Sequence, residues 1–162
     1  MKNILSSQRS MRRVHKSALS YENPICILFP SPGARPPISN VKNMLLAAHV
    51  AVGIVALLHA YFLVLEMFLW DKPQGLAAFG LTQELATASK TLAMNQGLYN
   101  GFLAAGLVWG LLLGTAGRQV EIFFLACVIL AGVFGGLTAS RKILVVQALP
   151  AAIALALVYF AG

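Results

Sequence analysis

NQGLYNGFLAAGLVWGLLLG, residues 95–114, decides the fold. From Phe102 onward the stretch is apolar except for small residues, as a chain entering lipid would be. Its opening is different: Asn95, Gln96, Tyr99 and Asn100 put four hydrogen-bonding side chains into six residues. At about 100° per residue these four fall within an arc of roughly 140°, one face of a helix rather than a ring around it. A helix that crosses lipid with such a face must turn it towards protein, since lipid offers polar groups no partner. The stretch therefore predicts a membrane helix with neighbours.

Composition extends this reading to the whole chain. Of 162 residues, 59% are hydrophobic and only 10% are charged, against about 25% charged in a soluble domain. The net charge of +7 would suit a nucleic-acid partner, but its distribution does not. Seven of the twelve Lys and Arg precede Met44, and the other five lie between apolar runs, as membrane-flanking charges do. No nucleic-acid partner is expected. Cys26 and Cys127 lie in a polar tail and an apolar run and form no C-x-x-C pair. No metal-ligand spacing or phosphate loop is present, so neither metal nor cofactor is expected.

Four apolar runs follow residues 1–43, at about 44–70, 92–114, 120–139 and 143–160. Each is close to the roughly 20 residues that a spanning helix needs. The predicted fold is all-α: an integral-membrane, multi-pass four-helix transmembrane bundle over 44–162. Residues 1–43 hold Arg9, Arg12, Arg13, Lys16 and Arg35, several Ser, and Pro30, Pro32, Pro36 and Pro37. Nothing there buries a core, so the segment reads as a disordered tail. Translation starting at Met44 is the simpler account of it. Between the first two runs, Pro73 and Gly75 act as breakers, and Thr82–Lys90 forms an interfacial helix or lengthens the second span. Counted from Met44, loops 1 and 3 carry Lys72, Lys90, Arg141 and Lys142, and loop 2 carries Arg118 alone. The positive-inside rule then places loops 1 and 3 in the cytoplasm. Counted from Met1, the tail's cations reverse the assignment.

The second span carries two rows of small residues. Gly97, Gly101 and Ala105 run along one side, and Gly106, Gly110 and Gly114 continue beneath the polar face. Such rows allow close helix approach, and a homo-oligomer joined through one of them is expected. The first span supplies His59 and Glu66, on one face but about 10 Å apart along the axis. His49, nearer the other end, reads as structural, and Cys127 as inert core. Gln147 opens the fourth span, and Pro150 frees a backbone carbonyl one turn earlier. Thr138 and Ser140 close the third on the same side. The expected site is thus a polar pocket at the loop 1 end, formed by Glu66, Asn95, Gln96, Tyr99, Asn100 and Gln147, with His59 deeper.

The series HAYFLVLEMFLW (59–70), FGL (79–81), NQGLYNGFLAAGL (95–107) and SRK (140–142), followed by Gln147 and Pro150, resembles the bacterial family catalogued as domain of unknown function 1304. The resemblance implies a small four-span inner-membrane protein whose members begin near the equivalent of Met44. It implies no activity, substrate or catalytic residue. The residues themselves favour binding or transport of a small solute, an ion or a lipid headgroup, with the bilayer as principal partner. Intramembrane ionisable residues are the reason. The alternatives are an enzyme acting on a lipid or isoprenoid, with Glu66 and His59 as acid and base, and an accessory subunit whose polar residues only fix helix packing.

Overall fold

The computed structural model describes residues 38–161. Among these residues the fold is all-α, with no strand. The helices are α1 (Ile38–Phe68), α2 (Pro73–Phe79), α3 (Gln83–Leu112), α4 (Arg118–Thr138) and α5 (Leu149–Ala161). A 3-10 turn, Gly114–Gly117, leads into α4, and a π-helical turn, Leu144–Ala148, leads into α5. Helix α1 lies against α3 and α5, and α4 lies against the same two helices.

Several boundaries differ from the sequence expectation. Helix α1 begins at Ile38, so the last six residues assigned to the tail are helical; the rest of that assignment lies outside the described residues. Pro73 and Gly75 do not break the chain. Pro73 stands in the first turn of α2, where a missing N–H removes no helical bond. Gly75 is buried because its α-carbon sits against the Leu69 and Trp70 backbone, where a side chain has no room. Gly80 ends α2 with φ of +66°, a left-handed conformation that suits glycine. Thr82 then caps α3, its hydroxyl accepting from the Leu85 N–H at 3.3 Å. With this cap in place, Thr82–Lys90 becomes the first part of α3 rather than a separate helix.

A clasp closes the α1–α2–α3 corner. Trp70 Nε1 donates to Ser89 Oγ at 3.1 Å, and its ring lies 4.8 Å from that of Phe79. Lys90 Nζ donates to Asp71 Oδ2 at 2.8 Å. This partner holds the Asp71 carboxyl below its ordinary range.

The core lies farther from this corner. It is built from Ala48, Val52, Val55 and Ala56 of α1, Leu107 of α3, Leu125 and Val128 of α4, and Ala151, Ala154 and Val158 of α5. Glycines bring the helices together. A Cβ at Gly97 would stand 2.6 Å from Met67 Cγ and 3.1 Å from Glu66 Cβ, and one at Gly101 would stand 2.5 Å from Leu63 Cδ1. At Gly110 it would meet Glu121 Cγ at 2.6 Å, and at Gly106 the Phe124 ring. The two rows are therefore filled by α1 and α4 of the same chain. Two members depart from the expectation. Ala105 is exposed, its neighbour Ala104 being buried instead. A Cβ at Gly114 would meet nothing within 4 Å; its φ of +58° places it in the turn that ends α3.

The π turn has a local cause. Pro150 has no N–H to bond the carbonyl four residues back, and the turn before it widens, with the Leu149 N–H reaching Leu144 O. The outer surface is apolar: Leu57, Leu92, Leu112, Leu137 and Phe160 are each more than 70% exposed. Apolar cover of this extent is unfavourable in water. Three helical segments, Asn40–Phe68, Gly114–Thr138 and Leu144–Ala161, are long and apolar enough to cross a membrane. The fold is compatible with a membrane protein. Helix α3 has the length but is diluted by Glu84, Lys90, Asn95, Gln96 and Asn100.

Candidate functional site

The sequence-predicted residues divide into a buried group and an exposed one. Glu66 and Asn100 meet: Asn100 Nδ2 donates to Glu66 Oε2 at 2.7 Å, and both residues are buried. The local fold explains the meeting. Gly97 and Gly101 face α1 on the same side of α3 as Asn100, and their missing side chains let α1 approach. Asn100 also donates to the Gln96 carbonyl one turn back, at 3.3 Å, so both of its amide hydrogens have acceptors. Among the described residues no cation stands at ion-pair distance from Glu66, since Lys72 and Lys90 both lie on Asp71. An amide, not a counter-ion, holds this carboxylate.

His59 lies about two turns deeper on α1 and is wholly enclosed. Its Nδ1 stands 2.9 Å from Val55 O. A carbonyl only accepts, so Nδ1 carries the hydrogen. In a neutral ring Nε2 is then an acceptor, and among the described residues it has no partner. The Phe62 ring meets His59 edge-on at 6.2 Å.

The remaining residues do not join this group. Asn95, Gln96 and Tyr99 are exposed, Tyr99 at 57%. The expectation that they look into protein fails because α4 meets α3 only lower down, through Gly106 and Gly110. On a helical wheel the two stretches share a direction, yet at the Asn95–Tyr99 level nothing covers that side. Gln147 is half-buried and turns to α4, Nε2 donating to Val128 O at 3.4 Å. Thr138 bonds its own helix at Phe134 O, and Ser140 Oγ accepts from the Lys142 N–H. The four-helix convergence expected at the loop 1 end therefore reduces to one pair across α1 and α3, closed in direct contact.

A second group was not singled out from the sequence. Glu121 of α4 is 2% exposed, and His49 Nε2 lies 4.0 Å from its Oε1. Both line a cavity of about 350 Å³ at the end of the molecule away from the Trp70–Lys90 clasp. The signal was available: Glu121 is one of only five acidic residues and follows Arg118 by three positions at the head of an apolar run.

The profile of the family described as Protein of unknown function (DUF1304) matches residues 53–159. The chain belongs to this family. It is also 32% identical over 96 residues to uncharacterized protein YpaA of Lactococcus lactis subsp. lactis (strain IL1403), an alignment covering 58% of this chain and 81% of the relative. No solved structure matches. The family match takes in Glu66, Asn100 and Glu121 as well as His59, and leaves His49 outside.

Proposed function

We propose that this chain is a four-span protein of the bacterial inner membrane that binds and exchanges a proton or a small ion at Glu66. The observation that carries the reading is the 2.7 Å bond between buried Glu66 and Asn100 on two different helices. A carboxyl group within a span is expensive wherever lipid surrounds it, and apolar packing would join α1 to α3 without that expense. An amide partner stabilises either protonation state of the carboxyl, because Asn100 donates to an oxygen that accepts in both. A fixed cation would hold only the charged state. The direct contact between the two side chains favours a proton or bare ion over a lipid headgroup, which needs a gap between them.

Helix α3 serves as the fourth span in this reading. Its 30 residues reach about 45 Å, well over a hydrocarbon core of about 30 Å. Asn95 and Gln96 then lie within about a turn of the loop 1 interface. Counted from Met44, the positive charges of loops 1 and 3 favour a cytoplasmic position for that end. A homo-oligomer would use a face other than the glycine rows, which α1 and α4 already occupy. The lipid-enzyme reading is weaker, because the enclosed ring of His59 offers a substrate no approach.

Flux in proteoliposomes tests the proposal. Full-length protein is reconstituted, a potassium gradient with valinomycin sets the potential, and a trapped dye reports internal pH, with and without sodium. Acidification or sodium-coupled flux several-fold above empty vesicles is expected for the wild type, falling to the empty-vesicle rate in Glu66→Gln. Equal rates in wild-type and empty vesicles would reject ion exchange.

A further inference from the structure

The cavity at the opposite end holds a feature that the Glu66 reading leaves unused. It lies between the start of α1, the Gly114–Gly117 turn, the start of α4 and the end of α5. At about 350 Å³ it has roughly ten times the ~30 Å³ share of one liquid water. Most of its wall is apolar, from Val41, Leu45, Ala48 and Val158. Into this wall projects Glu121, whose side chain is 3% exposed and whose Oε1 has no hydrogen-bond partner among the described residues. A buried carboxylate oxygen without a donor costs several kcal/mol by general estimates. Its position is not accidental in packing terms, since Gly110 yields the space for the Glu121 Cγ.

The neighbouring cation does not answer it. Arg118 turns away, Nη2 donating to Tyr159 O at 2.8 Å and Nε to Val158 O at 3.3 Å. Its guanidinium is thus engaged with the terminal carbonyls of α5, where a helix end favours positive charge. His49 Nε2, at 4.0 Å, is beyond hydrogen-bond distance and more exposed than Glu121. Oε1 itself is closed off from the surface, but the Glu121 side chain lines the cavity beside His49, Thr115 and Arg118.

We propose that this cavity is a binding site for a small organic cation bearing a protonated amine, whose N–H donates to the Glu121 carboxylate while its carbon atoms lie on the Val41–Ala48 and Val158 wall. A primary ammonium supplies the donor and the charge that the carboxylate lacks. Its alkyl part matches an apolar wall that a hydrated metal ion would not. The same chemistry occurs in a free amine and in the ethanolamine headgroup of a phospholipid. This site is separate from Glu66, and its test reads binding rather than flux, so either proposal can fail alone.

The probes are radiolabelled ethanolamine, offered to the full chain in detergent by equilibrium dialysis, and phosphatidylethanolamine nanodiscs, with phosphatidylglycerol nanodiscs as reference, read by native mass spectrometry. Saturable one-to-one ethanolamine binding identifies a free amine as the source. Retention of phosphatidylethanolamine over phosphatidylglycerol, without ethanolamine binding, identifies the headgroup. In either case Glu121→Gln should lower occupancy at least tenfold. Val41→Trp, a change at an exposed rim position that leaves Glu121 intact, should do the same, and decides the matter if the first variant does not fold. Absence of both binding modes in the wild type, or wild-type occupancy in Val41→Trp, would overturn the proposal.

Discussion

His59 and Asp71 show how differently two polar residues in this chain are satisfied. His59 keeps one ring nitrogen on Val55 O and leaves the other without a partner. Val55 O retains the backbone bond of its own helix without the imidazole, so replacing the ring by an apolar group of similar size deletes an unmatched acceptor and strands nothing. His59→Leu is therefore expected to stay within about 1 kcal/mol of wild-type stability in detergent unfolding. A loss above about 2 kcal/mol would reveal a partner for Nε2. Asp71 sits in the clasp, with Lys90 holding its carboxyl below the ordinary ~4. The sign follows from that direction. The stabilisation is fully present above the unfolded value and is lost as pH falls through the depressed native value. Wild type should thus melt higher than Asp71→Asn at pH 6, and the gap should close as the pH is taken well below 4; a gap unchanged with pH would contradict the role given to this carboxylate. Of these residues, the sequence made Glu66, Asn100 and His59 legible, because ionisable or amide groups in apolar runs stand out without a structure. It misdirected at Asn95, Gln96 and Tyr99. A helical wheel gives direction but not the depth at which a neighbouring helix begins.

At the scale of helices, small residues decide how closely the elements approach, and two glycines make the contrast measurable. Gly110 faces Glu121 with no room for a methyl group, whereas nothing lies within 4 Å of a Cβ at Gly53. Gly110→Ala is expected to destabilise by about 1–3 kcal/mol through overpacking. Gly53→Ala should be neutral or stabilising by up to about 1 kcal/mol, from helix propensity. Unfolding of the two variants in the same detergent checks this, and equal effects would mean that α3 and α4 are not held at this contact. Run length alone gives the C-terminal limits of α1 and α3 and both limits of α4 to within about two residues. It does not give the shape of loop 1, because Pro73 reads equally as a breaker or as the first turn of a helix. The π turn before Pro150 was half legible: the freed carbonyl was expected, the widened turn was not.

For the whole molecule, the proposed membrane reading makes an orientation measurable. With loops 1 and 3 in the cytoplasm, as the count from Met44 has it, single cysteines at Gln74 and Ser140, in a background without Cys26 and Cys127, should resist a membrane-impermeant thiol reagent in intact cells and react after permeabilisation. Labelling of both in intact cells would invert the arrangement, and labelling of one alone would change the number of spans. In this arrangement Glu66 lies towards the cytoplasmic end and Glu121 towards the other, with the apolar core between them. The far cavity escaped the sequence reading because it is made by four elements that meet only in three dimensions, each contributing two to four residues.

The claim on which the account turns is that Glu66 and Asn100 form one unit across α1 and α3. A double-mutant cycle measures it directly: Glu66→Gln, Asn100→Leu and the double variant are unfolded in detergent under identical conditions. Residues in contact couple, and a non-additivity of about 0.5–2 kcal/mol is predicted. Strict additivity would contradict the account, because it would place the carboxyl and the amide in separate environments.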